Sequence, residues 1–247
     1  MAVDTEVSDN IMWITLNRPD AGNALNVEVG EGLSAAFAEV ATNDDIRVVV
    51  VTGAGEKIFC AGMDLKAFAA GIDMAPVGRG LEALRTCEKP VIAAVNGAAL
   101  AGGFEVMMSC DLVLAVDHAK FGIPEVKRGL FAAGGGTRLP TRIPLTVALE
   151  MGMTGDPISP DRALHLGLIN QVVPASELRS ATAALASRIT VNGPLAVRAT
   201  KRLMHMEIPE ANTKAIGEAT AQVFTSEDAR EGATAFAQKR SPEWKGR

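Results

Sequence analysis

The sequence predicts an α/β fold in which short buried strands alternate with helices, followed by a helical C-terminal region. Residues 11–17 and 47–53 are rich in β-branched and large apolar side chains, which is typical of buried strands. Between them, apolar residues recur at helical spacing: Val29, Leu33, Phe37 and Val40. Strands that alternate with helices in this way indicate an α/β architecture.

The same alternation is repeated further along the chain. VIAAV (91–95) and DLVLAV (111–116) predict two more strands on either side of a helical segment. After about Leu145 the pattern becomes helical, and from Pro194 to Lys239 it shows helical periodicity and helix breaks but no strand candidate. We therefore predict a core over residues 1–190 and a C-terminal helical region over residues 191–247.

The composition of the 247 residues is that of an ordinary soluble globular protein, with 48% hydrophobic and 21% charged residues. The net charge of −5, without a run of basic residues, argues against nucleic acid as a main partner. The apolar stretch 91–116 is interrupted by Asn96, by glycines, by Glu105 and by Asp111. It therefore predicts buried core, and we expect no membrane partner.

The cysteines and the N-terminus bear on location. Cys60, Cys87 and Cys110 are an odd number without metal-like spacing, so we expect reduced thiols. The first ten residues are polar and acidic, so no signal peptide is expected. Together these features predict a cytoplasmic protein.

Two glycine-containing turns are the first candidates for chemistry. FCAGMDLK (59–66) predicts a tight strand-to-helix turn in which the Met63 N–H points into a cavity and Asp64 caps the next helix. In NGAALAGGFE (96–105), Gly102 and Gly103 lie at the start of a helix, where unsatisfied N–H groups suit an oxyanion. A purely structural turn remains the alternative for the first stretch.

Two isolated carboxylates are the second candidates. Glu105 lies in an apolar segment directly after the second turn, and Glu125 follows Pro124. Carboxylates in apolar surroundings suit proton transfer. The alternatives are that Glu105 caps its own helix and that Glu125 is a surface residue beside Lys127 and Arg128. The glycines of GGGT (134–137) permit a close backbone approach but do not form a phosphate loop.

Other catalytic chemistries find little support in the sequence. There is no G-x-S-x-G motif and no H-E-x-x-H motif. His118, His165 and His205 are scattered, which argues against a metal site. Cys60 lies beside the first glycine turn, but a small buried apolar residue is the favoured interpretation over a nucleophile.

Several stretches together carry a family resemblance. They are FCAGMDLK, VNGAALAGGFEV, FGIPEVKRGLFAAGGGTRL and the C-terminal EGATAFAQKRSPEWKGR, supported by NRPDAGNAL and TGDPISPDRALHLGLINQVV. In order and spacing they resemble the enoyl-CoA hydratase/isomerase (crotonase) family, from about residue 5 to the C-terminus.

The resemblance implies a crotonase-like spiral of ββα units with a C-terminal helical trimerisation region, assembled as a trimer or dimer of trimers. It implies an acyl-CoA thioester substrate, syn hydration of a trans-2-enoyl-CoA, and no metal or other cofactor. Met63 and Gly102 would supply the oxyanion-hole amides. Glu105 would activate water and Glu125 would protonate the α-carbon, although the residues themselves leave this division open.

The resemblance also implies a CoA-binding set. Its members are Lys57, Ala61, Asp64, Leu65 and Lys66 around the first turn, and Phe236 and Lys239, which would reach a neighbouring subunit's CoA. Arg18 would either assist CoA binding or serve as a structural turn residue.

The chain departs from the family pattern in two places. The acyl-pocket stretch between Lys66 and Leu81 is short and has no aromatic residue beyond Phe68, so it predicts no acyl chain length. Ala101 stands where many members have the first of three glycines, and we expect the Gly102 amide to be undisturbed. The presence of both glutamates favours hydration over an enoyl-CoA isomerase. Two competing functions stay open. One is another crotonase-type lyase or isomerase, of the carnitinyl-CoA dehydratase or enoyl-CoA isomerase kind, and the other is a non-catalytic acyl-CoA-binding trimer.

Overall fold

The computed structural model describes residues 1–128, 130–206, 218, 221–222, 225–238 and 240–247. The strands are β1 (Val3–Ser8), β2 (Ile11–Leu16), β3 (Val48–Gly53), β4 (Ile58–Cys60), β5 (Val91–Val95), β6 (Ala98–Leu100), β7 (Leu112–Val116), β8 (Lys120–Gly122) and β9 (Gln171–Val173). The helices are α1 (Val27–Thr42), α2 (Leu65–Ala69), α3 (Ala75–Arg85), α4 (Gly102–Met108), α5 (Leu145–Thr154), α6 (Pro160–His165), α7 (Leu178–Thr190), α8 (Pro194–His205) and α9 (Glu227–Gln238).

The strands form two sheets that the chain visits in turn. The larger sheet has the order β1-β2-β3-β5-β7-β9, and the smaller one has the order β4-β6-β8. Only the β1–β2 pair among these described strands is antiparallel. Each of β3, β5 and β7 is followed by a strand of the smaller sheet before the chain returns. This arrangement confirms the predicted spiral of ββα units.

Buried apolar side chains explain why the spiral is stable. The first four residues of β3 are valines, and all are buried, as expected for a central parallel strand covered on both faces. Helix α1 begins at an Asn26 cap, whose side chain accepts from Val29 N–H. It buries the four apolar residues that the helical spacing predicted.

One prediction about the chain after Leu145 was wrong. This segment is not entirely helical, because β9 adds a sixth strand to the larger sheet. Its three residues pair with β7, from Leu114 opposite Gln171 to Val116 opposite Val173. The Asn170 side chain also accepts from Val113 N–H at 2.8 Å, which fixes the chain beside β7.

The described residues of the C-terminal region contain helices and no strand, as predicted. Helix α8 is joined to the core by Lys201, whose Nζ lies 2.8 Å from Asp111 Oδ2 and donates to the Lys89 carbonyl. The division at residue 190 and the trimerisation role remain predictions. Among the described helices, none has the length and apolar character that a membrane span requires.

Candidate active site

The first glycine turn lies between β4 and α2. Gly62 has a φ of +100°, a conformation that favours glycine. Leu25 holds the turn from both sides, because its N–H donates to Gly62 O at 2.8 Å and its carbonyl accepts from Asp64 N–H at 2.9 Å. Between these two bonds, the Met63 N–H has no acceptor within the described residues.

The second turn lies between β6 and α4, directly beside the first. Ala101 N–H donates to Gly122 O at 2.9 Å, and α4 begins at Gly102. A Cβ atom placed on Gly102 would lie 3.5 Å from Met63 N, and one on Gly62 would lie 2.9 Å from Gly102 N. The two amides are therefore neighbours, and Gly102 N–H likewise has no acceptor in the described ranges.

Glu105 is buried on α4, with 7% of its surface exposed. Its Oε1 accepts from Gly136 N–H at 2.9 Å. The side chain makes no capping bond to its own helix, so the capping alternative does not describe this structure. Gly136 was not predicted as a site residue, although the GGGT run marked this place as one of close backbone approach.

Glu125 is half-buried in the 3-10 turn Pro124–Arg128. Its Oε2 is buried and has no hydrogen-bond partner among the described residues. Burial raises the pKa of this carboxyl, and the charge of Glu105 raises it further. The alternative of a surface residue beside Lys127 and Arg128 does not describe this buried oxygen, and Lys127 pairs instead with Asp156 at 2.6 Å.

Asp64 and Arg18 connect the first turn to the N-terminal loop. Asp64 caps α2 by accepting from Lys66 N–H and Ala67 N–H, as predicted. The Ala67 hydrogen bond is the main cause that lowers the pKa of Asp64, and Arg18 contributes to the same shift. Arg18 Nη2 lies 3.1 Å from Asp64 Oδ2, and Arg18 Nη1 donates to Ala24 O. These contacts agree with the alternative that Arg18 is a structural turn residue.

The remaining residues predicted to bind CoA are placed only in part. Lys57, Ala61, Leu65 and Lys66 are exposed along the first turn. Phe236 belongs to α9, but its side chain is not described, and Lys239 lies outside the described residues. Their binding roles therefore remain predictions.

Cys60 is fully buried, and burial raises its pKa to about 12. A thiol of this kind is a small apolar residue rather than a nucleophile, as the sequence favoured. In the described part of the chain, no three His, Cys, Asp or Glu side chains gather as metal ligands.

The spiral fold thus carries two adjacent amides and two carboxylates, of which Glu105 raises the pKa of Glu125. The family model described as enoyl-CoA hydratase/isomerase matches residues 6–247. The chain belongs to this family, and it is an enzyme of the hydro-lyase class.

Curated relatives and solved structures agree with this assignment. The chain is 39% identical to the (E)-benzylidenesuccinyl-CoA hydratase of Thauera aromatica, over 100% of both chains. It is 41% identical to the carnitinyl-CoA dehydratase of Proteus mirabilis, over 96% of both chains. The structure of an enoyl-CoA hydratase from Mycobacterium tuberculosis H37Rv has a TM-score of 0.93 and 44% identity, over 100% of this chain and 99% of that one.

Proposed function

We propose that the chain catalyses the reversible syn addition of water across the 2,3 double bond of a trans-2-enoyl-CoA thioester. One observation carries this proposal above the others. Two carboxylates, Glu105 and Glu125, interact electrostatically within the fold, and one of them has a buried oxygen without a partner among the described residues. Hydration removes one proton from the water that attacks the β-carbon and adds one proton to the α-carbon, and two carboxyl groups suit these two transfers.

The two free amides provide the electrostatic part of the mechanism. In the proposal, the N–H groups of Met63 and Gly102 donate to the thioester oxygen. When water attacks the β-carbon, electron density moves from the double bond to this oxygen, and the enolate charge is stabilised there. Amides already held in position need no reorganisation during the reaction, which makes such donors effective.

The two glutamates divide the proton transfers. Gly136 N–H orients Glu105, whose carboxylate removes a proton from water as the water oxygen bonds to the β-carbon. Glu125 is the acid that donates its proton to the α-carbon, and the burial that raises its pKa favours the protonated form. In the direction of dehydration the same groups exchange roles.

The CoA portion would bind along the first turn. Lys57 and Lys66 are exposed cations suited to phosphate groups, and Ala61, Asp64 and Leu65 line the same turn. We further propose a cytoplasmic homo-oligomer in which Phe236 and Lys239 contact a neighbouring subunit's CoA. No metal or separate cofactor takes part in this scheme.

Dehydration of carnitinyl-CoA is the second candidate function. The observation that favours it is the 41% identity to carnitinyl-CoA dehydratase from Proteus mirabilis. The same glutamates and amides would serve this reaction, because it removes water to form a double bond beside a thioester, which is the reverse of the proposed hydration. The two candidates therefore differ in the acyl group rather than in the chemistry.

A substrate screen tests the proposal. Enoyl-CoA esters from four carbons to bulky branched acyl groups would be incubated with the enzyme, and loss of the enoyl thioester absorbance followed. Carnitinyl-CoA would be assayed in parallel by gain of that absorbance. Turnover of enoyl esters supports the proposal, and turnover of carnitinyl-CoA alone supports the second candidate. Tight binding of the esters without turnover would contradict both and favour a non-catalytic acyl-CoA-binding trimer.

A further inference from the structure

A large cavity opens beside Glu105. Its volume is about 1050 Å³, and Glu105, Met108 and Gly135 are among the residues that line it. The end of α3, the end of α4, the 3-10 turn Gly136–Thr141 and helix α8 form its other walls. Glu105 therefore belongs both to the candidate site and to the wall of this cavity, which is large enough for a small-molecule ligand.

The lining of the cavity is predominantly cationic. The described lining residues include six lysine and arginine side chains against three carboxylates: Arg85, Arg138, Arg142, Arg198, Lys201 and Arg202 against Glu88, Glu105 and Asp111. Lys201 already pairs with Asp111 at 2.8 Å, and Arg85 lies 3.4 Å from Glu82.

For four of these arginines, the described residues provide no such partner. Within the described part of the chain, no carboxylate lies at ion-pair distance from the guanidinium groups of Arg138, Arg142, Arg198 and Arg202. Arginine is always charged and presents a planar set of donors that matches a carboxylate. A cavity lined by several guanidinium groups that have no carboxylate partner among the described residues is therefore suited to an anion.

Arg138 is the member of this set that lies near the candidate site. A Cβ atom on Gly135 would be 3.8 Å from Arg138 Nη2. The next residue, Gly136, donates its N–H to Glu105. The same turn thus holds the proposed base at one end and places a guanidinium group toward the cavity at the other.

We propose that the acyl group of the substrate carries a carboxylate, and that Arg138, supported by Arg142, binds it in this cavity. The substrate class is then the enoyl-CoA thioester of a dicarboxylic acid. This inference rests on the proposed hydratase function and narrows it. A cationic acyl group, such as the quaternary ammonium of carnitinyl-CoA, is disfavoured because the cavity already carries excess positive charge.

The test compares two trans-2-enoyl-CoA esters of equal chain length, one ending in a methyl group and the other in a carboxylate. The wild-type enzyme is expected to have at least a tenfold higher kcat/KM for the carboxylate ester. Arg138→Gln should reduce this ratio at least tenfold, and Arg138→Lys should restore part of it. The control is Arg79→Gln, on α3 outside the cavity, which should leave the ratio unchanged.

Binding measurements separate this inference from the proposed function. Saturated CoA thioesters with the same two ends cannot be hydrated, so calorimetry on them reports recognition without catalysis. Arg138→Gln should weaken binding of the carboxylate thioester at least tenfold more than binding of the methyl thioester. If wild type binds both thioesters equally, the inference is wrong whether or not enoyl esters are hydrated. If wild type selects the carboxylate thioester but hydrates no enoyl ester, the proposed function fails and the recognition stands.

The assembly of each variant would be measured by light scattering on the same samples. If Arg138→Gln assembles like wild type but has a reduced ratio of kcat/KM for the carboxylate ester over the methyl ester, Arg138 acts in the cavity. Loss of assembly in Arg138→Gln with an unchanged ratio would show that this arginine serves subunit contact, and would overturn the inference.

Discussion

Replacement of Gly62 by alanine tests the proposed pair of oxyanion amides. The added Cβ would lie 2.8 Å from Ala101 Cβ and 2.9 Å from Gly102 N, and real Cβ atoms essentially never approach within 3.0 Å. To reach ordinary van der Waals contact at 3.4 Å, the Gly102 nitrogen must move by about 0.5 Å relative to the first turn. Catalytic groups lose effectiveness at displacements of about this size.

The expected rate loss follows from the role of the displaced amide. Loss of one oxyanion donor reduces kcat by about 10²–10³-fold, and we expect Gly62→Ala to fall within about 10–10³-fold. Alanine at a φ of +100° also strains the backbone, which adds about 1–3 kcal/mol of destabilisation. The rate loss and the stability loss therefore need to be separated by a control.

Gly71→Ala provides that control. Gly71 has a φ of +71°, but a Cβ atom placed there meets no atom within 4 Å among the described residues. This variant should lose stability through backbone strain and keep its turnover. Steady-state kinetics on the hydrated enoyl ester and urea unfolding would be measured for both variants. If Gly62→Ala turns over at the wild-type rate while folded, the Met63 and Gly102 amides do not form the oxyanion hole.

Three further changes test separate parts of the structure. Ala101→Gly should stabilise the protein by about 1 kcal/mol, because the φ of +50° at Ala101 strains an alanine but not a glycine. The rate should change little, because the Gly102 amide remains in place. If urea unfolding shows equal or lower stability for the variant, Ala101 is not strained. Glu125→Gln should become more stable relative to wild type as pH rises. The raised folded pKa of Glu125 means that its stability contribution is full below its ordinary pKa and is lost as pH rises through the folded value. Melting temperatures between about pH 4 and pH 7 would show this, and a constant difference would refute it. Lys201→Met should destabilise the protein by about 1–3 kcal/mol, because it removes a mostly buried ion-pair partner of Asp111. If urea unfolding is unchanged, this ion pair does not hold α8 against the core.

The main strands and α1 could be predicted because their residues carry strong local patterns. The valines of β3 and the helical spacing of Val29 to Val40 are visible without any tertiary information. β9 could not be predicted in the same way. It has three residues, and it is a strand because β7 provides an edge to pair with and Asn170 bonds to Val113.

For the candidate site, local chemistry was again more predictable than long-range contacts. The Asp64 cap and the helix start at Gly102 follow from residue type and spacing. The bond from Gly136 N–H to Glu105 joins segments 31 residues apart, and only the folded chain shows it. The burial that raises the pKa of Glu125 is likewise shown only by the folded chain, since the neighbouring Lys127 and Arg128 suggest a surface position in the sequence.

In the proposed mechanism, Glu105 and Glu125 act together in one hydration step. The most direct measurement is turnover of a hydrated enoyl-CoA ester by wild type, Glu105→Gln, Glu125→Gln and the double variant, with ester binding measured on each. Each single variant should bind the ester but lose about 10²–10⁴-fold in rate, and the double variant should be little slower than either. Retention of more than about half of the wild-type rate by either single variant, or fully multiplicative losses in the double variant, would contradict this mechanism.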